Sequence, residues 1–166
     1  MKWSIRFLAL GFALGAIGGA VVSVAAARGT APKGALVALR KTALGTILVD
    51  ARGRTLYLFE KDRNGISACD AACAKYWPPL TSRATPRAGK GVQQSMLRVA
   101  KQHNGLRQVA YAGHPLYTFV GDKGSGQTAG EGLNNFGAEW YVLAASGQKV
   151  EPSQASVGGY GSGGGW

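Results

Sequence analysis

The pattern Tyr-x-Phe-x-x-Asp occurs twice in this chain, in TLYLFEKD ending at Asp62 and in PLYTFVGD ending at Asp122. The two copies stand sixty residues apart, and the match extends well beyond the motif. Laying residues 36–62 over 96–122 without a gap aligns Leu36 with Met96, Val37 with Leu97, Leu39 with Val99 and Lys41 with Lys101. Gly45 then meets Gly105, Val49 meets Val109, Gly53 meets Gly113 and Leu56 meets Leu116. Tyr57/Tyr117, Phe59/Phe119 and Asp62/Asp122 close the alignment. Glycines and apolar positions in one register identify two copies of a supersecondary unit.

Each copy reads as strands. Short apolar or β-branched runs (ALVALR, TILVD and TLYLF; SMLRVA, LRQVAY and PLYTF) are separated by turns at Gly45 or Gly105 and at Gly53 or Gly113. Each half is therefore expected to be a three-stranded antiparallel meander. Alternation along the motif strand puts Tyr57 and Phe59 on one face and Leu56 and Leu58 on the other, with Tyr117 and Phe119 placed alike. Asp62 and Asp122 fall just past the strand ends, where a carboxylate can accept backbone N–H bonds and fix a turn. The motif thus has a structural reading, and a second one in which its hydroxyls and carboxylates bind a ligand.

After the motif the copies diverge. The first continues as SACDAACAKYWPPL; its Ala-rich start, with Ser67 as N-cap, predicts a short helix over 67–76 that Pro78 and Pro79 end. The second continues through a Gly-rich stretch to GLNNFGAEWYVL. Both return to a tryptophan before apolar residues, at Trp77 and at Trp140. Residues 81–94 read as a basic linker, and 148–166 as a flexible glycine-rich tail.

The N-terminus carries an address. Lys2 and Arg6 precede an uncharged apolar run from Phe7 to Val24, and Ala25-Ala26-Ala27 offers a signal-peptidase site. Residues 1–27 read as a signal peptide; an uncleaved anchor is the alternative, the run being marginal in length for a span. Cleavage leaves 17 basic against 8 acidic residues, a net charge of +9. A basic exported protein is drawn to an anionic envelope polymer, a membrane surface or an envelope protein. The basic residues are scattered and no aromatic ladder runs among them, so nucleic acid is not an expected partner.

Cys69 and Cys73 are the only cysteines. In an exported protein they are expected to form a disulfide. The rival reading is a redox or metal-handling site that recruits Met96, His103 or His114 in space, although the C-x-x-x-C spacing is neither a thioredoxin-like nor a haem-attachment pattern. No nucleophile–base order is visible, and no catalytic residue, metal ligand or cofactor is assigned.

The paired motifs, SACDAACAKYWPPL and GLNNFGAEWYVL together resemble a bacterial family described as a secreted repeat of unknown function, predicted lipoproteins with a Yx(F/W/Y)xxD motif. The resemblance runs from about Leu44 to Gly147. It implies an exported protein with tandem β-rich repeats, and it carries no activity. The lipid-accepting cysteine of lipoprotein members has no counterpart before Cys69, which points to a periplasmic or secreted form. The expected fold is mainly β: repeats at about 36–80 and 96–143, two meanders in one small sandwich or barrel-like domain, and one short helix with the cysteines. The expected role is a non-enzymatic binding or interaction module.

Overall fold

The computed structural model describes residues 33–150. The signal peptide expected at 1–27 and the expected tail from 151 onward lie outside the described residues. The fold is mainly β, with three small three-stranded sheets and no α-helix among the described residues.

The first copy opens with β1 (Leu36–Thr42) and β2 (Gly45–Asp50), a hairpin in which Ala38 faces Val49 and Thr42 faces Gly45. Its motif strand is β3 (Tyr57–Phe59). Between the copies lies β4 (Arg87–Ala88), parallel to β1. The second copy contains β5 (Leu97–Lys101), β6 (Arg107–Tyr111) and β7 (His114–Pro115), followed by the hairpin β8 (Asn134–Asn135) and β9 (Ala138–Val142). The expected three-stranded meander is realised in the second copy as β5–β6–β7. In the first copy the motif strand touches β2 through one bridge, Val49 to Thr55, and pairs along its length with β9 of the other copy.

The copies do not superpose at one offset. Val37 faces Asp50 in one hairpin, and Leu97 faces Tyr111 in the other. β1 and β5 thus correspond at sixty residues, and β2 and β6 at sixty-one. The loop between β5 and β6 is longer by one residue, and the turn after β6 is shorter by one. The two differences cancel, so the ungapped alignment is right at the motif and one residue out in the strand before it.

Four other expectations are corrected. No helix spans 67–76; only Cys73–Lys75 form a 3₁₀ turn. Asp70, not Ser67, starts it: Asp70 Oδ1 accepts the N–H groups of Ala72 and Cys73, both at 2.9 Å. An aspartate competing for nearby backbone donors favours a turn over a helix interior. Pro78 and Pro79 do not end a helix; they lie in an extended segment beside the second motif strand, where the Pro78 carbonyl accepts Thr118 N–H at 2.9 Å. This segment is the counterpart of β9, and its prolines keep it from being a full ladder strand. Finally, residues 81–94 are part of the fold. They supply β4, and buried Ser82 accepts the Ala35 N–H at 2.9 Å. The start of the tail is held too, since Val150 N–H donates to Val142 O.

The alternation along β3 divides the core. Leu56 and Leu58 join Leu48, Leu97, Val109, Leu116 and Leu143 in one cluster. Tyr57 and Phe59 join Trp77, Tyr117, Trp140 and Cys73 in the other. Both clusters draw on both copies, so neither meander has a complete core of its own.

Candidate functional site

The two motif strands meet at their tyrosines. Tyr57 N–H donates to Tyr117 O at 2.9 Å, and Tyr117 N–H donates to Tyr57 O at 3.0 Å. This reciprocal pair is the local two-fold centre, and the rest of each motif works across it.

Past each phenylalanine the chain turns: Asp62 N–H donates to Phe59 O, and Asp122 N–H to Phe119 O. The turn brings each carboxylate back toward the opposite copy. Tyr57 O–H donates to Asp122 Oδ2, and Tyr117 O–H donates to Asp62 Oδ2, each at 2.8 Å. The second carboxylate oxygen is used locally. Asp62 Oδ1 accepts Ala68 N–H at 2.8 Å, and Asp122 Oδ1 accepts Ala129 N–H at 2.9 Å. Each aspartate therefore closes its own loop with one oxygen and ties down the other copy with the second. A buried phenol needs such a partner.

The rings form one continuous stack, Phe59–Trp140–Trp77–Phe119. Centroids are 4.1, 3.9 and 4.3 Å apart, with interplanar angles of 6°, 4° and 26°. Each motif phenylalanine lies on the tryptophan of the opposite copy. Each motif tyrosine stands edge-on to the tryptophan of its own copy, Tyr57 to Trp77 at 5.3 Å and Tyr117 to Trp140 at 5.1 Å. Gly130 permits this closeness: a Cβ there would lie 2.7 Å from Trp77 Cη2 and 3.0 Å from Tyr57 Cε1.

Burial pushes the Asp62 carboxyl up to about 6, against the pull of the Ala68 N–H and the Tyr117 O–H. Asp122 is raised for the same reason. Burial, reinforced by the facing carboxylate, also holds both phenols above the ordinary tyrosine range. Tyr117 Oη lies 2.8 Å from Asp62 Oδ2 and 2.7 Å from Ser67 Oγ. A phenol has one proton, so with Asp62 ionised that proton goes to the carboxylate and Ser67 O–H donates to the phenol oxygen. The chain Ser67–Tyr117–Asp62 is thereby closed on itself. A cleft of about 350 Å³ opens beside it, lined by Ser67, Cys69, Asp70, His103 and Tyr117 among others.

Cys69 and Cys73 form a disulfide with Cα atoms 5.3 Å apart. Cys73 is buried in the aromatic cluster, and Cys69 packs at its edge. Among the described residues no three His, Cys, Asp or Glu side chains gather as a metal site. Met96 lies against the aliphatic cluster, away from the cysteines' aromatic one. His103 lines the cleft beside Cys69, and His114 lines a different cleft with Asp62 and Glu60. His114 is half-buried, which lowers its pKa, with Glu60 acting in the opposite sense. Reducing the disulfide reopens a loop of five residues, so unfolding free energy should fall by about 2 kcal/mol. Urea titrations with and without reductant check this, and the fold should survive in both.

Sequence reasoning missed three contributors. Gln102 is buried; its Oε1 accepts Ser67 N–H at 2.8 Å and its Nε2 donates to Gly65 O at 3.3 Å, fastening the first copy's loop to the second copy. Asp50 accepts Arg52 N–H and Arg54 N–H and pairs with the Arg54 guanidinium at 2.7 Å, organising the turn before β3. Gly130 is the third. An aspartate followed by Ala-Arg-Gly-Arg was a readable turn signal at Asp50; a lone glutamine and one glycine among many were not.

This geometry defines a class: a disulfide-bearing, duplicated β module whose copies are interlocked by the motif that marks them. The chain belongs to the family described as a secreted repeat of unknown function, whose model matches residues 38–81 and 98–144, one stretch in each copy and more than half of the chain together. No curated protein and no solved structure matches it. Among the described residues no helix is long and apolar enough to cross a membrane.

Proposed function

We propose that this secreted-repeat protein is a non-enzymatic binding module of the cell envelope that holds to phosphate-bearing or other polyanionic surfaces. One observation carries the reading: the polar groups of both motif copies are spent on each other, through Tyr57–Asp122 and Tyr117–Asp62. What the module turns outward is a basic exterior, with Arg40, Lys41, Lys90, Lys101 and Arg107 all exposed. Acidic groups offset part of this charge, as where Asp50 pairs with Arg54 and Glu60 with Lys149. The interlocked core supplies rigidity, and the net charge supplies attraction.

The mature protein should co-sediment with vesicles of anionic lipid or with insoluble anionic wall polymer at about 10 mM salt and be released near 1 M, as the Debye length shrinks from ~30 to ~3 Å. Absence of binding to either at low salt would overturn the proposal. Separate lipid and polymer arms distinguish the two sources of anionic charge. The rival reading, redox or metal handling through Cys69 and Cys73, would instead be favoured by free thiols or bound metal in protein purified from its native compartment.

A further inference from the structure

Three large apolar side chains stand exposed among the described residues, Tyr76 at 55 %, Val120 at 40 % and Phe136 at 39 %, and they gather in one place. Val120 N–H donates to Tyr76 O at 3.0 Å, which sets the end of the 3₁₀ turn beside the turn after the second motif strand. The next pair along, Trp77 and Phe119, is stacked ring on ring, with Trp77 fully buried and Phe119 partly so. Tyr76 and Val120 lie one residue beyond that pair, in the turns that end the two segments, and their side chains reach solvent. The Phe136 ring lies 6.0 Å from the Tyr76 ring.

Phe136 is unusual in its backbone as well as its exposure. Asn135 faces Ala138 in the β8–β9 hairpin, leaving Phe136 and Gly137 as the two-residue turn, with φ of 59° and 93°. Such a turn prefers Asn, Asp or Gly at its first position. An aromatic ring held to solvent there opposes both turn chemistry and burial, which is the pattern of a residue kept for contact with something else.

Three exposed lysines ring the patch. Lys61 Nζ donates to Phe136 O at 3.1 Å, Lys123 Nζ donates to Val120 O at 2.8 Å, and Lys75 precedes Tyr76 in the chain. Glu139 is the one acid on the same hairpin, and it is partly buried. Amphipathic aromatic rings with flanking lysines suit the headgroup region of a bilayer, where rings seat at the acyl boundary and ammonium groups meet phosphates.

We infer that the Tyr76–Val120–Phe136 patch is a bilayer-contact surface for anionic membranes. The inference rests on the envelope-binding reading above and deepens it by committing to lipid as the occupant. The test is flotation of the mature protein with phosphatidylglycerol vesicles, compared with binding to soluble polyphosphate. The variants are Phe136→Asn, which restores a preferred turn residue, and Phe136→Asn combined with Tyr76→Ser. Phe136→Asn should melt at or above the wild-type temperature and bind vesicles roughly tenfold more weakly, the double variant more weakly still. Polyphosphate binding should be unchanged. Wild-type-like vesicle binding by the double variant would overturn the inference and leave the envelope-binding reading standing. So would binding to polyphosphate without binding to vesicles, or equal losses on both. Failure of the wild-type protein to bind either probe at low salt would remove both readings.

Discussion

Trp140→Ala should remove a large share of the domain's stability, about 3–5 kcal/mol. Trp140 is fully buried and lies between Phe59 and Trp77, with the Tyr117 edge against it. Truncating a large core aromatic costs about 3–5 kcal/mol, against a total of about 5–15 kcal/mol for a typical small domain. The loss falls on both copies, because the ring bridges the first copy's phenylalanine and the second copy's tyrosine. Urea unfolding followed by near-UV circular dichroism measures it. Trp140→Phe, which keeps a ring to stack, should recover part of the stability. A loss below about 1 kcal/mol for the alanine variant would mean that the stack is not what joins the copies.

Asp62→Ala should cost about 1–2 kcal/mol, because the Tyr117 hydroxyl loses its carboxylate partner and keeps only Ser67 Oγ, while the exposed Ala68 N–H turns to water. Asp122→Ala should cost more, about 2–3 kcal/mol, because the Tyr57 hydroxyl is left with the Gly130 N–H, a donor, and no acceptor. Combined with Tyr117→Phe, Asp62→Ala should cost less than the sum of the single losses, whereas Asp62→Ala with Tyr57→Phe should be additive. That contrast between the two tyrosines is the signature of exchange between copies. The pair also sets a pH dependence. The Asp62 pKa in the folded protein, about 6, lies above the ordinary carboxylate value, so the folded state binds the proton more tightly than the unfolded chain. Its contribution to stability is full below about pH 4 and is lost as pH rises through 6. Asp122 and Glu131 act in the same sense, while His114, lowered by burial, acts in the opposite one. Asp62→Asn isolates its share: the melting temperature should decline less between pH 4 and 7 than in the wild type. An unchanged decline would locate the titration elsewhere.

The motif was legible as a strand because its residues alternate. Tyr57 and Phe59 could be assigned to one face and Leu56 and Leu58 to the other, and the structure divides its core along that line. The Ala-rich stretch over 67–76 predicts a helix, but the Asp70 carboxylate captures two backbone N–H groups there and holds a single 3₁₀ turn instead. The register shift between β2 and β6 was hidden because its two length differences cancel within sixty residues. The exposed Phe136 was invisible in a sequence where GLNNFGAEWYVL reads equally well as a strand or as a turn.

By itself the sequence determined that this chain carries two copies of one β unit, that each motif strand has an aromatic and an aliphatic face, and that two cysteines four residues apart lie within reach of each other. Those are local properties, set by side-chain alternation, turn chemistry and spacing. Only the tertiary structure decided that each tyrosine meets the other copy's aspartate and each phenylalanine the other copy's tryptophan. Two identical motifs offer the same hydrogen bonds within a copy as between copies. The choice is made by the backbone pairing of Tyr57 with Tyr117, which sets the motif strands side by side and turns each carboxylate toward its neighbour.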